Sequence, residues 1–297
     1  MTINFKGRTA IITGGGAGLG RAHALALAER GANIIVNDLI GAELVASEIR
    51  KQGGAALAST ADVTSETEVN AMVQLGISKF KKIDILVNNA GILRDKSFAK
   101  MEIVDFKKVL DVHLLGSTIC TKAVWSSMRD NGYGRIVFTT SASGLYGNFG
   151  QANYGSAKTG LLGLMNVLQT EGEKYNLRVN MLAPTAATQM TEGLIPKDAI
   201  ELLQPETITP GLLWLVSEEG PKRMILAAGA GCFAQTRIFE TRGICLEGDD
   251  LTPENIAKNS EQISNMEGAM ELKDAFTQTR QFYERSAAKK GIPATWK

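Results

Sequence analysis

The chain has 297 residues, and 32 Lys and Arg against 31 Asp and Glu give a formal charge of +1, which leaves no basic field to attract nucleic acid or an acidic membrane surface. Cys120, Cys232 and Cys245 are odd in number and lack CxxC spacing, which argues against a disulfide framework or a metal site and for a reducing compartment. The opening MTINFKGRTAIIT has no long apolar run, and the most apolar stretch, Met224 to Ala234, is too short to span a bilayer. A soluble, unexported, cytoplasmic protein is expected, with neither nucleic acid nor a membrane as partner. In chain order, apolar runs with β-branched residues recur at Thr9 to Thr13, Asn33 to Asn37, Ile83 to Asn88, Arg135 to Thr140 and Arg178 to Leu182. The segments between them are long enough for helices, which predicts βαβ units and a parallel sheet, the α/β class.

Two crossover helices carry their own signals. Ala22 to Gly31 has helical spacing closed by a glycine, and Ser65 to Phe80 opens with the capping box Ser65-Glu66-Thr67-Glu68. The pattern weakens after Gly229. Thr252-Pro253-Glu254 then predicts an N-cap, a proline at the first helical position and an acidic first turn. Residues 1–230 are read as one domain and 231–297 as a C-terminal extension packed on it.

The first strand, TAIIT, runs into GGGAGLGRAHALALAE, placing Gly14, Gly18 and Gly20 in a strand-to-helix turn. Backbone can approach a pyrophosphate closely there, and a helix N-terminus supplies oriented N–H groups. A tight turn in any α/β protein could also produce such glycines. The second strand ends in Asp38, near the distance at which a dinucleotide fold places an acid on the adenosine ribose. A carboxylate accepts from both ribose hydroxyls and repels a ribose phosphate, so NAD is favoured over NADP; a solvated capping aspartate is the alternative. Asp62 suits either the adenine edge or a plain turn. Asn88, Ala90 and Gly91 come at the end of the run Ile83 to Asn88, at the edge where ligands lie in open α/β folds.

In GNFGQANYGSAK one tyrosine, Tyr154, sits among small residues with Lys158 four positions on. That spacing puts both side chains on one helix face. A phenol with a pKa near 10 is a poor base at neutral pH unless a cation stabilises its phenolate, and Lys158 is the cation expected to do so. A surface tyrosine with a snorkelling lysine is the alternative for the pair taken alone.

Taken in order, Thr13-Gly14-x-x-x-Gly18-x-Gly20, Asn88-Asn89-Ala90-Gly91, Ser141 and Tyr154-x-x-x-Lys158 resemble the short-chain dehydrogenase/reductase family from about Asn4 to Gly229. The resemblance implies a Rossmann-like doubly wound sheet with helices on both faces, here with a C-terminal helical extension. It implies an oxidoreductase in which Ser141 holds the substrate oxygen, with Ser143 as rival, Tyr154 moves the proton and Lys158 assists. It adds Leu19, Val63, Asn89 and Thr188 to the residues that hold NAD, beside Tyr154 and Lys158 themselves. His113 stands where the family usually has a catalytic asparagine; a proton relay, a main-chain water site and a buried structural histidine are all open to it. Ala183-Pro184-Thr185 lacks the glycine that commonly follows this proline.

Within the family, the chain is similar to 3-oxoacyl carrier-protein reductases and to the (3R)-hydroxyacyl-CoA dehydrogenase part of type two peroxisomal multifunctional enzymes. Asn37-Asp38, His113 and the extension with LTPEN look like the second group. The expected substrate is a small-molecule acyl thioester, (3R)-3-hydroxyacyl-CoA; a carrier-protein ester or a hydroxysteroid remains an alternative, as does a non-catalytic NAD-binding regulator. Met190, Leu194 and Ile195 suit a lid over an acyl chain or an ordinary surface helix. Arg94 and Lys96 are candidates for the thioester's phosphates. Trp125, Leu161, Leu164, Met165 and Leu168 lie in segments that form the family's subunit interface, so a homodimer or homotetramer is expected.

Overall fold

The computed structural model describes residues 2–187 and 197–295. The chain forms two compact units, Met1–Thr236 and Arg237–Lys297. The first is built on one eight-stranded sheet in the order β3-β2-β1-β4-β5-β6-β7-β8. Its strands are β1 Thr9–Thr13, β2 Asn33–Asn37, β3 Ala56–Ser59, β4 Ile85–Asn88, β5 Gly134–Thr139, β6 Leu177–Thr185, β7 Ile225–Gly229 and β8 Cys232–Thr236. Strands β1 to β7 are parallel and β8 is antiparallel to β7.

Side chains alternate between two apolar layers. Ala10, Ile12, Ile34 and Val36 face helices α1 Gly18–Glu29, α2 Ala42–Lys51 and α9 Thr209–Leu215. Ile11, Ile35, Leu86, Ile136 and Phe138 face α3 Glu66–Phe80, α5 Gly116–Asp130 and α7 Ala152–Gly172. Both faces of the sheet are covered, as near-continuous apolar strands require. Among the described residues the first unit also holds the shorter helices α4 Ile103–Leu110, α6 Ala142–Tyr146 and α8 Lys197–Ile200. Between α4 and α5 the helix widens into a π turn at Asp111–Leu115, which contains His113.

The expected capping box is half formed. Ser65 Oγ accepts from Glu68 N at 3.4 Å, but the Glu68 carboxylate turns to Asp62 N at 3.0 Å. The helix start is thereby tied to the end of β3 instead of closing on itself.

Pro184 sits inside β6, where a missing N–H ordinarily breaks a ladder. Pairing with β5 ends at Leu182, so Pro184 faces only β7. The β7–β8 hairpin turns on Ala230 and Gly231, at φ 50° and 73°. Two successive left-handed residues match the twist of a two-residue hairpin.

The boundary expected at Gly231 is therefore displaced, since Cys232–Thr236 completes the sheet. The side chains of Cys232, Phe233, Ala234 and Gln235 are exposed and supply no buried pattern to read.

The second unit holds helices α10 Pro253–Lys258, α11 Ser260–Ser264 and α12 Ala275–Lys289. Thr252 caps α10 through Asn255 N with Pro253 in its first turn, and Asp274 caps α12 through Thr277 N. Arg285 and Lys289, one turn apart on α12, donate to the carbonyls of Arg242, Gly243 and Cys245. Among the described residues no helix is long and apolar enough to cross a membrane.

Candidate active site

Strand order reverses between β1 and β4, and the predicted residues of the first unit follow the carboxyl ends of β1 to β5. The turn after β1 is packed against the turn after β4. Thr13 Oγ1 accepts from Asn89 N and Ala90 N at 3.0 and 3.1 Å, and Asn89 Nδ2 donates to Thr13 O and Gly14 O at 3.1 Å each. A Cβ on Gly20 would lie 2.0 Å from Gly14 O, so only glycine lets α1 close onto this turn. Gly18 and Leu19 begin α1, whose N-cap, Ala17, has an extended backbone and no side-chain acceptor for the helix N–H groups. An uncapped N-terminus behind a glycine turn fits a pyrophosphate, which would bring its own acceptors.

Asp38 is half-buried after β2. Its Oδ2 accepts from Gly16 N at 2.9 Å and its Oδ1 from Ile40 N at 3.1 Å. Each carboxylate oxygen keeps capacity for a ribose hydroxyl. Gly16 is the residue that sequence reasoning passed over: a Cβ there would lie 2.2 Å from Ile40 O, and its N–H orients the acid. The triple glycine at 14–16 was its only signal. Asp62 accepts from both the N–H and the hydroxyl of Thr64, at 2.8 and 2.7 Å, and these bonds hold its carboxyl below the usual value. It is a turn aspartate in the free protein. Val63 next to it is buried and packs on Gly116, where a Cβ would lie 2.9 Å away.

At the end of β5, Ser141 is the N-cap of α6 and accepts from Ser143 N at 3.2 Å. Its hydroxyl lies close enough to the Tyr154 phenol to favour the phenolate, so Ser141 is the serine placed against the tyrosine. Lys158 is buried, donates to Thr139 O at 2.6 Å, and has its Nζ 5.4 Å from the centre of the Tyr154 ring. Burial lowers its pKa to about 7.

The expected lowering of the Tyr154 pKa is not seen in the free chain. Burial pushes the phenol up, the neighbouring Ser141 hydroxyl pulls it down, and the nearby Asp95 carboxylate raises it again. One N–H of the lysine goes to the Thr139 carbonyl, and with a pKa of about 7 the amine is only partly charged at neutral pH, which weakens the cation the expectation relied on.

His113 is 2 % exposed and meets the Tyr154 ring edge-on, with centroids 5.1 Å apart. Its Nε2 lies 2.8 Å from Ile92 O and 3.0 Å from Ile92 N, one of which it engages according to tautomer. Among the described residues Nδ1 has no partner. Burial, and then the charge of Lys158, lower its pKa to about 3, so it is neutral near pH 7. A Cβ on Gly91 would lie 2.2 Å from His113 Cε1, so the ring occupies the space that this glycine leaves. Asn88 Nδ2 donates to Thr121 Oγ1 at 3.1 Å.

Thr188, Met190, Leu194 and Ile195 lie outside the described residues. Arg94 and Lys96 both reach Asp105, at 3.9 and 3.3 Å, so each already has a counter-charge. Of the expected interface residues, Leu161 and Met165 are closed within the core, and Trp125, Leu164 and Leu168 pack against it. The apolar side chains left exposed nearby are Ile103, Val104, Leu115 and Val167. The second unit has its own open cavity of about 470 Å³, lined by Arg242, Cys245, Gln262 and Arg285 among others, and it contains none of the motif residues.

A glycine turn against an uncapped helix, an acid after β2, and a serine–tyrosine–lysine group at the same sheet edge define an oxidoreductase site built for a nicotinamide cofactor. The chain belongs to the short-chain dehydrogenase/reductase family: a family model described as short chain dehydrogenase matches residues 8–199. The mouse peroxisomal multifunctional enzyme type 2 is 43% identical over 281 residues, covering 90% of this chain and 38% of that protein. The structure of the full-length peroxisomal multifunctional enzyme type 2 from Drosophila melanogaster matches with a TM-score of 0.85 at 36% identity, over 96% of this chain and 50% of that one. This chain thus spans half or less of these two relatives. A 7 alpha-hydroxysteroid dehydrogenase, complexed with NADH and 7-oxo glycochenodeoxycholic acid, matches with a TM-score of 0.72 at 32% identity, over 77% of this chain and 95% of that one.

Proposed function

We propose that this chain is an NAD-dependent dehydrogenase that oxidises (3R)-3-hydroxyacyl-CoA to 3-oxoacyl-CoA. The observation that carries the chemistry is the Ser141 hydroxyl set against the Tyr154 phenol, with Lys158 buried beneath the ring. Likeness to the multifunctional enzymes supports the choice of substrate.

Gly14, Gly18, Leu19 and Gly20 would cradle the pyrophosphate, and Asp38 would accept from the ribose hydroxyls. Val63, Asn89, Ala90, Gly91 and Thr188 complete the binding residues, with Asp62 at the adenine end. When bound, the oxidised nicotinamide supplies the hydride acceptor and additional positive charge. The residues of the chain handle the proton. Ser141 holds the C3 oxygen by a hydroxyl that can donate to an alkoxide, and Tyr154 takes the proton from that oxygen as the carbonyl forms. In the free chain the phenol is kept protonated, the form that donates in the reverse, reducing direction. Its use as a base depends on positive charge near the ring, which Lys158 supplies when protonated. His113, neutral and bonded to the Ile92 backbone, is best read as scaffold for the loop after β4 and not as a proton relay. Oxygen and hydride acceptor held together fix one face of attack, hence one enantiomer.

Three free cysteines fit a reducing compartment, and the relatives' names make a peroxisomal setting the alternative to the cytoplasm. Exposed Ile103, Val104, Leu115 and Val167 support pairing with a second copy, as a homodimer or a dimer of dimers.

The test is a panel of 3R and 3S thioesters of CoA, carrier protein and a hydroxysteroid, each with NAD and NADP, followed by absorbance of the reduced cofactor. Turnover of the 3R CoA ester with NAD, and little of the 3S isomer, is expected. Activity confined to carrier-protein esters with NADPH, or to the steroid, would move the site to another branch of the family. Cofactor binding without any turnover would make the chain a regulator.

A further inference from the structure

Asn153 precedes Tyr154 and belongs to neither the tyrosine–lysine motif nor the glycine turn. Its side chain is fully buried, at 0 % exposure. Burying a primary amide is costly unless its groups are bonded. Here both ends are used: Nδ2 donates to Arg94 O at 2.9 Å, and Oδ1 accepts from Tyr154 N at 2.7 Å. That N–H lies in the first turn of α7, where backbone donors have no acceptor within the helix. The N-cap residue, Gln151, offers none from its side chain.

Gln151 is bonded elsewhere. Its Nε2 donates to Asp95 Oδ2 at 2.7 Å, and its Oε1 accepts from Asn148 Nδ2 at 3.0 Å. Lys96 N donates to Gly150 O at 3.0 Å on the same seam. The loop Ile92–Ser97 is thus fastened to the start of α7 on one side. On its other side His113 holds Ile92, and the His113 ring packs edge-on against Tyr154. The contacts close a circuit: Tyr154 to Asn153, Asn153 to Arg94, back along the loop to Ile92, across to His113 and again to Tyr154.

We propose that Asn153 and Gln151 are positioning residues for the hydride-transfer reaction, fixing the loop Ile92–Ser97 and the backbone of Tyr154 as one body. The proposal rests on Tyr154 as the proton-transfer residue. Asn153 neither touches the reacting atoms nor titrates. It acts through the placement of the tyrosine, and a displacement of about 1 Å at a reacting group can cost on the order of a hundredfold in rate.

Two sets of variants test it in the full chain. Asn153→Asp keeps the acceptor for Tyr154 N but sets a carboxylate oxygen against the Arg94 carbonyl, and Asn153→Leu removes both bonds. We expect kcat to fall about tenfold or more in the first and about a hundredfold in the second. NADH affinity should stay within about twofold, the rise in KM should be smaller than the loss in kcat, and hydrogen exchange should be faster in residues 92–97. Gln151→Glu places two carboxylates together and should also lose kcat; adding Asp95→Asn restores an amide–carboxylate pair with the roles exchanged and should recover most of it. Because Asp95 is exposed, this second pair decides the matter if Asn153→Leu fails to fold. Unchanged kcat in a folded Asn153→Leu, or no recovery in the double variant, overturns the proposal. If the wild-type chain turns over no substrate, the functional reading fails instead, and hydrogen exchange still decides whether the seam exists: unchanged exchange in the variants overturns it.

Discussion

Lys158 shows how the role proposed for a residue can run against stability. The residue is 3 % exposed, its ammonium donates to Thr139 O, and burial lowers its pKa to about 7 from 10.5. A base with a lowered pKa is protonated more readily in the unfolded chain, so the folded state loses stability as pH falls from 10.5 to about 7. At pH 7 that loss is on the order of 4 kcal/mol before the hydrogen bond is counted. Lys158→Met should therefore abolish turnover while raising stability at pH 7 by roughly 1–3 kcal/mol, read from urea unfolding. A variant less stable than the wild type would show that the buried ammonium is better compensated than this account allows. On the proposed reading, Asp38→Ala removes both the ribose acceptor and the repulsion of a ribose phosphate. NAD affinity should weaken by roughly 1–3 kcal/mol while discrimination against NADP shrinks, measured as the two dissociation constants. An unchanged ratio would place the selectivity outside Asp38. The placement of Tyr154 and Lys158 on one helix, and of Asp38 after a strand, was legible because such spacing is local information. Asn153 and Gly16 were not, because their partners, Arg94 and Asp38, are 59 and 22 residues away.

Among the elements, the two ends of the sheet do different work. The carboxyl ends carry the site, while the opposite end is held by a charged cluster. Asp84 there is 1 % exposed and accepts from Arg8 Nη1, Thr9 N and Lys82 Nζ at 2.9, 2.9 and 3.0 Å. Arg8 and the buried Arg135 both lie over the Tyr133 ring, at 3.4 and 4.0 Å from its centre. Asp84→Asn leaves an acceptor for Thr9 but uncouples two cations, so a loss of about 1–3 kcal/mol is expected. Since strand β1 separates this cluster from the site by ~17 Å, kcat should not change. A stability loss accompanied by a tenfold lower kcat would mean that the two ends are coupled. The strands that sequence reasoning located are those buried on both faces, such as Ile11-Ile12 in β1 and Val137-Phe138 in β5. Strands β7 and β8 were not placed among the apolar runs; β8 is an edge with exposed side chains, and its antiparallel return depends on a turn through Ala230, a residue without a turn signature.

At the scale of the whole molecule, the doubly wound class was legible because the βαβ alternation repeats over the chain, so local errors in boundaries do not accumulate. Long-range pairings were not, and they decide which polar groups are buried. Both histidines of the chain are cases in point. His23 on α1 lies fully buried against α9, with Nδ1 2.9 Å from Thr209 Oγ1, and burial lowers its pKa to about 3. His113 is lowered to about 3 by burial and by Lys158. In the unfolded chain each would titrate near 6.5. Above that value neither form binds the protons and folding is not opposed. Between 6.5 and about 3 the unfolded chain binds up to two protons that the folded chain refuses, so stability falls as pH falls. The combined slope should approach roughly 2.7 kcal/mol per pH unit below pH 6, with Asp62, whose carboxyl is also held low, adding in the same direction nearer pH 3. Urea unfolding midpoints measured from pH 8 to pH 5 should drop steeply below 6.5. His23→Gln, which keeps a hydrogen-bonding group beside Thr209 but cannot be protonated, should remove about half of that slope. Midpoints that stay level between pH 7 and pH 5 would mean that the histidines gain compensating partners as they charge, and that the burial seen here does not hold in acid.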